Sequence, residues 1–222
     1  MAEPEFSDVL IIGAGISGIG AAYRIHEKNP KLSYRVLERR GRIGGTWDLN
    51  RYPGIRSDSD IFTLSYPYEP WTRPEYVAGG DLIRDYLTQT ARKHGIEEHI
   101  RFNTRVLSAD WDSTTDTWTV QTEVDGEPTT YRGRFLFFGT GYYNYDEPYR
   151  PDFPGLHDFS GPVVHPQQWP ESLDYDGKNV LVIGSGATAV SMIPSLTEKA
   201  RHVTMLQRSP SYLLSMPRIN PL

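Results

Sequence analysis

Two stretches of the chain share one order of apolar and glycine-rich positions. In the first, residues 8–12, which are apolar after Asp8, lead into Gly-Ala-Gly-Ile-Ser-Gly at 13–18, and a second largely apolar run occupies 34–37. In the other, residues 179–183, which are apolar after Asn179, lead into Gly-Ser-Gly-Ala-Thr-Ala at 184–189, and a further largely apolar run follows. Each order predicts a buried strand, a tight turn, a helix and a parallel second strand. The sequence therefore predicts an α/β protein with two Rossmann-like dinucleotide-binding domains.

The region between these stretches predicts one helix and a small antiparallel β insertion. Apolar residues at helical spacing predict a helix over 81–93, with Asp81 as its N-cap. Alternation over 118–124 and the dipeptide Asp125-Gly126 predict a hairpin, whose returning strand ends in the apolar run 135–138. We expect that run to be buried on both faces and to rejoin the first sheet.

The charge that follows the second strand differs between the two units. Glu38 follows the first pair of strands and Arg208 the second. A carboxylate accepts hydrogen bonds from a ribose diol, whereas an arginine suits a 2′-phosphate, to which the Ser209 hydroxyl can also donate. The sequence therefore predicts FAD at the first unit and NADPH at the second. Two simpler interpretations remain open: the glycines serve only tight packing, and Arg208 is an exposed arginine without a ligand.

The irregular stretch 39–74 is rich in glycine and aromatic residues, which predicts an ordered loop with a role in binding. The paired glycines Gly44-Gly45 let a backbone approach a flat ring. Trp47 and Tyr52 can then wall off an aromatic cofactor.

The polar residues at 57–60 support two interpretations. Asp58 can place a negative charge beside a bound ring. Alternatively, these residues only provide N-caps for a short helix that starts near Ile61. The residues alone leave this choice open.

Composition excludes several other classes. The 222 residues carry a formal charge of -5, so nucleic acid is not an expected partner. The acidic N-terminus and the lack of a long apolar stretch predict a soluble cytoplasmic protein without a transmembrane segment. Cysteine is absent, which excludes disulfides, thiolate metal sites and the dithiol chemistry of disulfide reductases. The histidines lack metal-ligand spacing, and Ile183 breaks the serine-hydrolase pattern around Ser185.

The predicted organisation has three parts. We place an FAD-binding domain at 1–147, a proline-rich connector at 148–177, and the first β-α-β unit of an NADPH-binding domain at 178–222. One β-α-β unit cannot bury both faces of its sheet, and doubly wound domains use about five or six strands. We therefore expect the chain to be the truncated, N-terminal part of a longer protein.

Two segments carry a more specific signature. Residues 44–58 resemble the G-G-x-W-x4-Y-P-G-x3-D motif of Baeyer–Villiger monooxygenases, and residues 159–170 match their F-x-G-x3-H-x3-W-P fingerprint. The related flavin-containing monooxygenases usually carry another aromatic residue at the Trp169 position. Residues 141–147 and 204–210 are also similar to the ethionamide-activating monooxygenase subgroup. The resemblance spans essentially the whole chain, but members of the family are more than twice as long.

The resemblance implies a reaction and two cofactors, FAD and NADPH. In such enzymes NADPH reduces FAD, and the reduced flavin takes up O₂. The resulting C4a-peroxyflavin inserts one oxygen atom into a ketone or oxidises a sulfide or thioamide. The implied partners are therefore a small-molecule substrate of this kind and O₂, and no oligomeric state is implied.

The resemblance also assigns residues to the cofactors. Those implied for FAD are Gly13, Gly15, Ser17 and Gly18 at the pyrophosphate, Glu38 at the ribose, Thr46, Trp47, Asp48 and Leu49 along the flavin, and the main chain of Val106 at the adenine. Those implied where the nicotinamide meets the flavin are Arg56, Ser57 and Asp58. Those implied for NADPH are Gly184, Ser185, Gly186, Ala187, Thr188, Ala189, Val190, Arg208 and Ser209. The fingerprint residues expected to govern a domain rearrangement are Phe159, Gly161, His165, Trp169 and Pro170.

The chain departs from the family pattern in one respect that bears on catalysis. The family supplies an arginine to the reacting flavin from a segment beyond position 222, and Asp58 is expected to orient it. We therefore expect the 222 residues alone to be inactive. Gly139 stands where the family more often has alanine, which keeps the turn tight. The alternatives are another flavin-containing or N-hydroxylating monooxygenase, and a non-catalytic dinucleotide-binding module.

Overall fold

The computed structural model describes residues 4–213 and residues 215, 217 and 219. Two compact units make up the chain: Met1–Asp48 with Ile83–Tyr142, and Leu49–Leu82 with Tyr143–Leu222. The strands and helices are, in chain order, β1 (Glu5–Ile12), α1 (Ile16–Lys28), β2 (Tyr34–Leu37), α2 (Thr46–Leu49), α3 (Ile61–Leu64), α4 (Gly80–Lys93), β3 (Ile100–Arg101), β4 (Thr104–Asp112), β5 (Thr117–Val124), β6 (Glu127–Phe138), β7 (Asn179–Ile183), α5 (Ala187–Leu196) and β8 (His202–Leu206). Short 3-10 turns lie at Glu97–His99, Leu156–Asp158 and Pro166–Gln168.

The first unit is built on a six-stranded sheet in the order β3-β2-β1-β6-β5-β4. β1 pairs in parallel with β2 and with β6, so that Ile12 lies opposite Leu37 on one side and Phe138 on the other. β5 runs antiparallel to both β4 and β6. The strand that ends in the run 135–138 therefore rejoins the first sheet, as predicted, and connects it to the antiparallel insertion.

The hairpin between β5 and β6 turns at the predicted dipeptide. φ is +49° at Asp125 and +91° at Gly126, so both residues adopt the left-handed conformation that a type I′ turn requires. Within β5, Val120 and Thr122 are buried, whereas the residues on either side of Thr122 are exposed. This confirms the predicted alternation, because successive side chains of a strand point to opposite faces.

The expectation that the run 135–138 is buried on both faces is wrong. Leu136 packs against the core of the first unit, but Phe135, Phe137 and Phe138 are 59%, 41% and 61% exposed. β1 pairs with this run along one edge, whereas the pairing of β5 with β6 ends at Gly133. The exposed side chains therefore lie where the described residues of this unit leave the end of β6 uncovered. An apolar run predicts that its side chains are buried, but it does not indicate which other residues pack against them.

The two long helices of the first half follow their predicted spacing. α1 buries Gly18, Ile19 and Ala22 and ends at Lys28, with Asn29 as its C-cap. α4 begins at Gly80, so Asp81 lies in its first turn, and the prediction of Asp81 as the N-cap is wrong by two residues because Gly79 takes that position. A carboxylate in the first turn is still favourable because it faces the positive end of the helix dipole. In the described part of the chain, no helix has both the length and the apolar character needed to cross a lipid bilayer.

The second unit contains the parallel strands β7 and β8 and the helix α5 that connects them. Its core includes a tyrosine from the irregular stretch, and the buried members are Tyr52, Val182, Ala189, Met192 and Leu196. Leu181, Ile183 and Leu206 are at least half exposed. One face of this two-stranded sheet is therefore covered and the other is not, as expected for a single β-α-β unit.

The compact units divide the chain differently from the predicted domains. Residues 49–82 group with 143–222, whereas the prediction placed them in the FAD-binding domain at 1–147. The physical reason is that Tyr52 packs into the core around α5. The predicted domains were defined by their cofactors, which packing does not test, so their boundaries stay a prediction.

Two glycines of the hairpin should respond differently to alanine. A Cβ at Gly133 of β6 would lie 2.8 Å from the Ser7 carbonyl oxygen and 2.9 Å from Leu10 Cγ, whereas Gly126 has a φ of +91° and no atom within 4 Å of the added Cβ. We expect Gly126→Ala to lower the free energy of unfolding by about 1 kcal/mol through backbone conformation alone. Gly133→Ala should lower it by about 3 kcal/mol because the core must shift. Urea unfolding measures both, and equal losses would contradict the close approach of β1 and β6.

Candidate dinucleotide-binding sites

The first glycine-rich turn joins β1 to α1 and is held by the strands on both sides. The Gly13 N–H donates to the Leu37 carbonyl at 2.8 Å, and the Gly139 N–H donates to the Ile12 carbonyl at 2.8 Å. At Gly13, φ is +99° and an added Cβ would lie 2.6 Å from the Gly139 carbonyl oxygen. A Cβ at Gly18 would lie 1.8 Å from the Gly13 carbonyl oxygen. Packing alone therefore requires glycine at 13 and 18.

Gly15 is placed differently, because it is the N-cap of α1 and no side chain caps the helix there. An added Cβ at Gly15 would be in ordinary contact with the Gly45 Cα, at 3.5 Å. The first turn of α1 contains no acidic residue. The first N–H groups of a helix have no partner within the helix and lie at the positive end of its dipole. This terminus therefore fits an anionic group such as a pyrophosphate.

The buried carboxylate of Glu38 holds the same turn. Its Oε2 accepts a hydrogen bond from the Ala14 N–H at 2.7 Å, and its Oε1 accepts one from the Arg40 N–H at 2.8 Å. Burial raises the pKa of Glu38, and the two backbone donors and the Arg40 charge oppose that shift. Each carboxylate oxygen has the capacity to accept a second hydrogen bond, which binding of a ribose diol would require.

The paired glycines of the irregular stretch lie against this turn. The Gly44 N–H donates to the Ala14 carbonyl at 3.1 Å. The fully buried Asp48 carboxylate, in contrast, pairs with Arg40 Nη2 at 2.7 Å and with Arg42 Nε at 3.2 Å. The Asp48 side chain therefore has a structural partner rather than an open face for a flavin. The other α2 residues predicted to line a flavin are partly buried: Thr46, Trp47 and Leu49.

Val106 lies in β4 next to an irregularity of the sheet. The pairing with β5 shifts between Val106 and Ser108, so Leu107 is the extra residue of a bulge. The Thr104 N–H donates to the Glu38 carbonyl at 2.9 Å, so β4 starts beside the predicted ribose contact. The structure therefore brings the glycine-rich turn, Glu38 and the Val106 main chain into one region of the first unit.

The second glycine-rich turn repeats the hydrogen bonds of the first. The Gly184 N–H donates to the Leu206 carbonyl at 2.8 Å, and the Val190 N–H donates to the Gly186 carbonyl at 3.1 Å. Gly186 is the N-cap of α5, again without a side-chain cap. φ is +123° at Gly184, and an added Cβ at either glycine meets no described atom within 4 Å. This turn is therefore open within its unit, and packing does not explain its second glycine.

The register of the second unit changes which residue matches Glu38. The last pair of β7 and β8 joins Ile183 to Leu206, and the corresponding pair of β1 and β2 directly precedes Glu38. Gln207 therefore takes the Glu38 position, and the exposed Arg208 follows it. The prediction that Arg208 occupies the matching position is wrong by one residue. A neutral Gln207 still removes the carboxylate that would repel a 2′-phosphate.

Ser185 links the second turn to the segment after β8. Its hydroxyl donates to the Ser209 carbonyl at 3.4 Å and lies 3.1 Å from the Ser211 hydroxyl. The residues predicted for NADPH, at 184–190, 208 and 209, therefore gather at the carboxyl ends of β7 and β8. Ligands of α/β proteins bind at this edge of the sheet.

The residues around Asp58 separate into structural and exposed members. Ser57 is buried, and its hydroxyl donates to the Ser59 carbonyl. Asp60 is the N-cap of α3, and its carboxylate accepts from the backbone N–H three residues later at 2.7 Å. The capping interpretation is therefore confirmed for Asp60. Arg56 and Asp58 are exposed, so their side chains are not committed to the core.

Tyr52 does not lie where the sequence analysis expected it. Its side chain is 8% exposed and belongs to the core of the second unit, together with Ala189 and Met192 of α5. The expectation that Tyr52 walls off an aromatic cofactor is therefore wrong, because packing against α5 occupies its ring.

The fingerprint turn at 166–168 is hydrogen-bonded to residues that precede it in the chain. His165 Nδ1 accepts a hydrogen bond from the Gln167 N–H at 3.2 Å and caps this turn. Gln167 Nε2 donates to the Asn144 carbonyl at 2.5 Å, and Arg150 Nη2 donates to Gln168 Oε1 at 2.6 Å. Burial lowers the pKa of His165, and the Arg150 charge adds to that effect. The neutral imidazole is thereby favoured, which is the form that can accept the capping hydrogen bond.

The remaining fingerprint residues also have local contacts. Trp169 packs against the core of the second unit, and its ring centroid lies 6.1 Å from that of Tyr175. A Cβ at Gly161 would lie 2.7 Å from the exposed Phe159 ring, so a side chain at 161 would require this ring to move. Pro170 accepts a backbone hydrogen bond from Leu173 at 3.0 Å. A role of these residues in a domain rearrangement stays a prediction.

Sequence reasoning missed the residues that support the two turns. Ala14 gives its N–H to Glu38, and Arg40 neutralises the buried Asp48. No residue type signals either contact. The sequence did contain a signal for Gln207, because Gln207 directly follows β8 as Glu38 directly follows β2. Aligning the two units by their strand ends, and not by their charged residues, would have found it.

Comparison with known proteins now decides the family. The family model of flavin-binding monooxygenase-like proteins matches residues 7–220. The chain belongs to the flavin-binding monooxygenase-like family. It is 54% identical over 219 residues to the FAD-containing monooxygenase EthA of Mycolicibacterium smegmatis, which covers 98% of this chain and 44% of that protein. It is 52% identical over 221 residues to the putative FAD-containing monooxygenase MymA of Mycobacterium tuberculosis, covering 97% of this chain and 45% of that one.

Solved structures of flavin-binding monooxygenases have the same fold as this chain. An oxidized steroid monooxygenase bound to NADP matches with a TM-score of 0.80 and 35% identity, covering 93% of this chain and 39% of that one. Cyclohexanone monooxygenase from Rhodococcus sp. Phi1 bound to NADP+ matches with a TM-score of 0.81 and 30% identity, covering 95% and 39%. These matches confirm the predicted α/β fold class and the resemblance to Baeyer–Villiger monooxygenases. The chain spans less than half the length of these relatives.

Replacing Glu38 tests its double role in this family member. In Glu38→Gln, one amide oxygen can satisfy one of the two N–H donors, and the amide nitrogen faces the other. We expect the free energy of unfolding to fall by about 1 to 3 kcal/mol at neutral pH. The exposed Glu123→Gln serves as a control and should change it by less than about 0.5 kcal/mol.

The difference in unfolding free energy between the unsubstituted chain and Glu38→Gln should depend on pH in one direction. Burial raises the pKa of folded Glu38 above its ordinary value of 4.5, so the folded state favours the protonated carboxyl. The advantage of the unsubstituted chain over Glu38→Gln should therefore be largest below that value, and should shrink as the pH rises through the raised pKa. Urea unfolding across this interval measures it, and an advantage that grows with pH would show that burial does not dominate.

Proposed function

We propose that this chain forms the nucleotide-binding part of an FAD- and NADPH-dependent monooxygenase. The reaction would insert one oxygen atom from O₂ into a ketone, or oxidise a sulfide or thioamide. The observation that carries the proposal is the duplicated turn: the same backbone hydrogen bonds recur, followed by Glu38 in one copy and by Gln207 and Arg208 in the other. Relatives described as FAD-containing, and solved relatives bound to NADP, support this pair of cofactors.

FAD is assigned to the first unit. The uncapped N-terminus of α1 supports binding of the pyrophosphate, since Gly15 leaves room for close approach. The second acceptor site on each Glu38 oxygen supports binding of the ribose diol. The remaining contacts are assigned to Gly13, Ser17, Gly18, the α2 backbone and the Val106 main chain.

NADPH is assigned to the second unit. The uncapped N-terminus of α5 suits its pyrophosphate, and the open space around Gly184 and Gly186 supports that assignment. Exposed Arg208 suits the 2′-phosphate, because a guanidinium binds phosphate in a bidentate manner and stays charged. Ser209 lies next to it and can donate a further hydrogen bond.

The role of the 222 residues is to bind and orient. When bound, FAD that NADPH has reduced supplies the electrons for O₂ activation. We assign exposed Asp58 the task of orienting an arginine, which the resemblance places in a segment beyond position 222. The chain by itself would then bind nucleotides without oxygenating a substrate.

A ketone is the first choice of substrate class. The solved relatives include steroid and cyclohexanone monooxygenases, and Trp169 completes the fingerprint of the Baeyer–Villiger branch. The alternative within the family is another flavin-containing or N-hydroxylating monooxygenase. Product analysis with a cyclic ketone and with an amine distinguishes the two in a polypeptide that includes the further segment.

The purified chain should take up FAD and show the visible flavin absorbance after gel filtration. Addition of NADPH without air should bleach that absorbance, and addition of air with a cyclic ketone or a sulfide should give no lactone or sulfoxide. A chain that stays colourless in excess FAD would contradict the proposal. Flavin that NADPH does not bleach would instead indicate a non-catalytic binding module, and oxygenated product would show that the 222 residues suffice.

Replacing Arg208 should change nucleotide preference. We expect Arg208→Ala to weaken NADP+ binding by about 10- to 100-fold, because one charge-assisted contact to phosphate is worth about 1.5 to 3 kcal/mol. Binding of NAD+, which lacks the 2′-phosphate, should not change. Arg201→Ala is the matched control, since Arg201 is an exposed arginine before the opposite end of β8. Calorimetric titration measures both nucleotides, and an equal loss for NAD+ would remove the 2′-phosphate assignment.

A further inference from the structure

The turn Tyr52-Pro53-Gly54 has no part in the proposed function, yet it packs on the helix that begins the second nucleotide site. We propose that Tyr52 and Gly54 are positioning residues for NADPH, which hold α5 so that its N-terminus meets the pyrophosphate. This inference rests on the proposed function, because it requires the second glycine-rich turn to bind NADPH.

Gly54 approaches the middle of α5 more closely than a side chain would permit. An added Cβ would lie 2.4 Å from the Ser191 carbonyl oxygen and 2.6 Å from Ser195 Oγ. φ at Gly54 is +76°, a conformation that other residues rarely adopt. Because one of these neighbours is helix backbone, a side chain at 54 must push the turn and α5 apart.

Tyr52 contacts the same helix nearer to its N-terminus. Its buried ring shares a core with Ala189 and Met192, and its hydroxyl is hydrogen-bonded to the Thr188 side chain. Burial raises the pKa of Tyr52, and the hydrogen bond with Thr188 opposes that shift. Thr188 is the second residue of α5. The turn therefore contacts α5 both in its middle and in the first turn, where a pyrophosphate would bind.

The two nucleotide helices differ in what supports them. The start of α1 is seated on its own turn, since a Cβ at Gly18 would lie 1.8 Å from the Gly13 carbonyl oxygen. In α5, Ala189 takes the corresponding position, and the glycines of the turn have no described atom within 4 Å of an added Cβ. Val182 of β7 packs on α5 from the sheet, and residues 52–54 add a second support. The looser turn therefore depends on a segment far earlier in the chain.

Gly54→Ala in the 222-residue chain tests this contact, and Gly177→Ala is its matched control. Gly177 belongs to the same unit and has a φ of +63°, with no atom within 4 Å of an added Cβ. Its alanine variant therefore carries the backbone strain without the collision. Calorimetry measures the binding of NADP+ and of 2′-AMP, and fluorescence measures the binding of FAD. 2′-AMP carries the 2′-phosphate but no pyrophosphate, so it reports on Arg208 and not on α5.

We expect Gly54→Ala to weaken NADP+ binding about tenfold, since a displaced helix N-terminus loses a charge-assisted hydrogen bond. Binding of 2′-AMP and FAD should stay within about twofold, and Gly177→Ala should alter none of the three by more than that. Tyr52→Phe keeps the ring and removes the hydroxyl, so it should weaken NADP+ binding about threefold. Amide hydrogen exchange in the first turn of α5 should also be faster in Tyr52→Phe without nucleotide. This variant tests the inference even if Gly54→Ala does not fold.

The outcomes separate the inference from the function on which it rests. Loss of NADP+ binding with 2′-AMP binding retained supports positioning. Equal weakening of NADP+ and 2′-AMP would mean that the turn is merely structural, and unchanged NADP+ binding in both variants would mean that it does not position α5; either result overturns the inference. If the unsubstituted chain shows no saturable NADP+ binding, the proposed function fails and the inference fails with it.

Discussion

One hydrogen bond fixes the geometry of each glycine-rich turn: the N–H of the first glycine donates to the last carbonyl of the neighbouring parallel strand. Its length is 2.8 Å at Gly13 and at Gly184. At both glycines the chain leaves the strand with a positive φ, which is +99° at Gly13 and +123° at Gly184. The helix that follows then starts at the carboxyl edge of the sheet, where its dipole and first N–H groups face a ligand. Glu38 and Gln207 follow the residues that supply these carbonyls, so their positions depend on the same bond.

The two copies share this backbone but differ in their surroundings. The first turn is closely packed and electrostatically held, since Glu38 binds the turn itself and Asp48 is neutralised nearby by Arg40. A buried carboxylate of this kind is tolerated because backbone donors and an arginine compensate for lost hydration. The second turn lacks such a carboxylate and ends in the exposed, positively charged Arg208. The difference in charge therefore goes together with a difference in how firmly each helix is seated.

Each unit has apolar side chains that are buried in its core and others that stay exposed. Each turn is hydrogen-bonded to the neighbouring parallel strand of its own unit, and the core of the second unit is completed by Tyr52 from the irregular stretch. The aromatic side chains at the end of β6 and the outer faces of β7 and β8 stay exposed among the described residues. Large exposed apolar patches usually mark contacts with further protein. The chain spans 44% of the length of EthA from Mycolicibacterium smegmatis. Relatives of that length are long enough to supply such contacts.

The sequence by itself determined the two β-α-β units and the hairpin turn at Asp125-Gly126, because glycine spacing and apolar periodicity act over a few residues. The motifs at 44–58 and 159–170 indicated the family by resemblance. It also located Glu38 and Arg208 as candidate binding residues. The two were matched by their charges, however, and the strand ends show that Gln207 is the residue that corresponds to Glu38. Tertiary structure alone decided that Tyr52 packs on α5, that Asp48 faces arginines and that the aromatic run of β6 is exposed. Those outcomes depend on which distant segment meets which surface. Residue type and local pattern specify that a side chain should be covered or paired, but not by what.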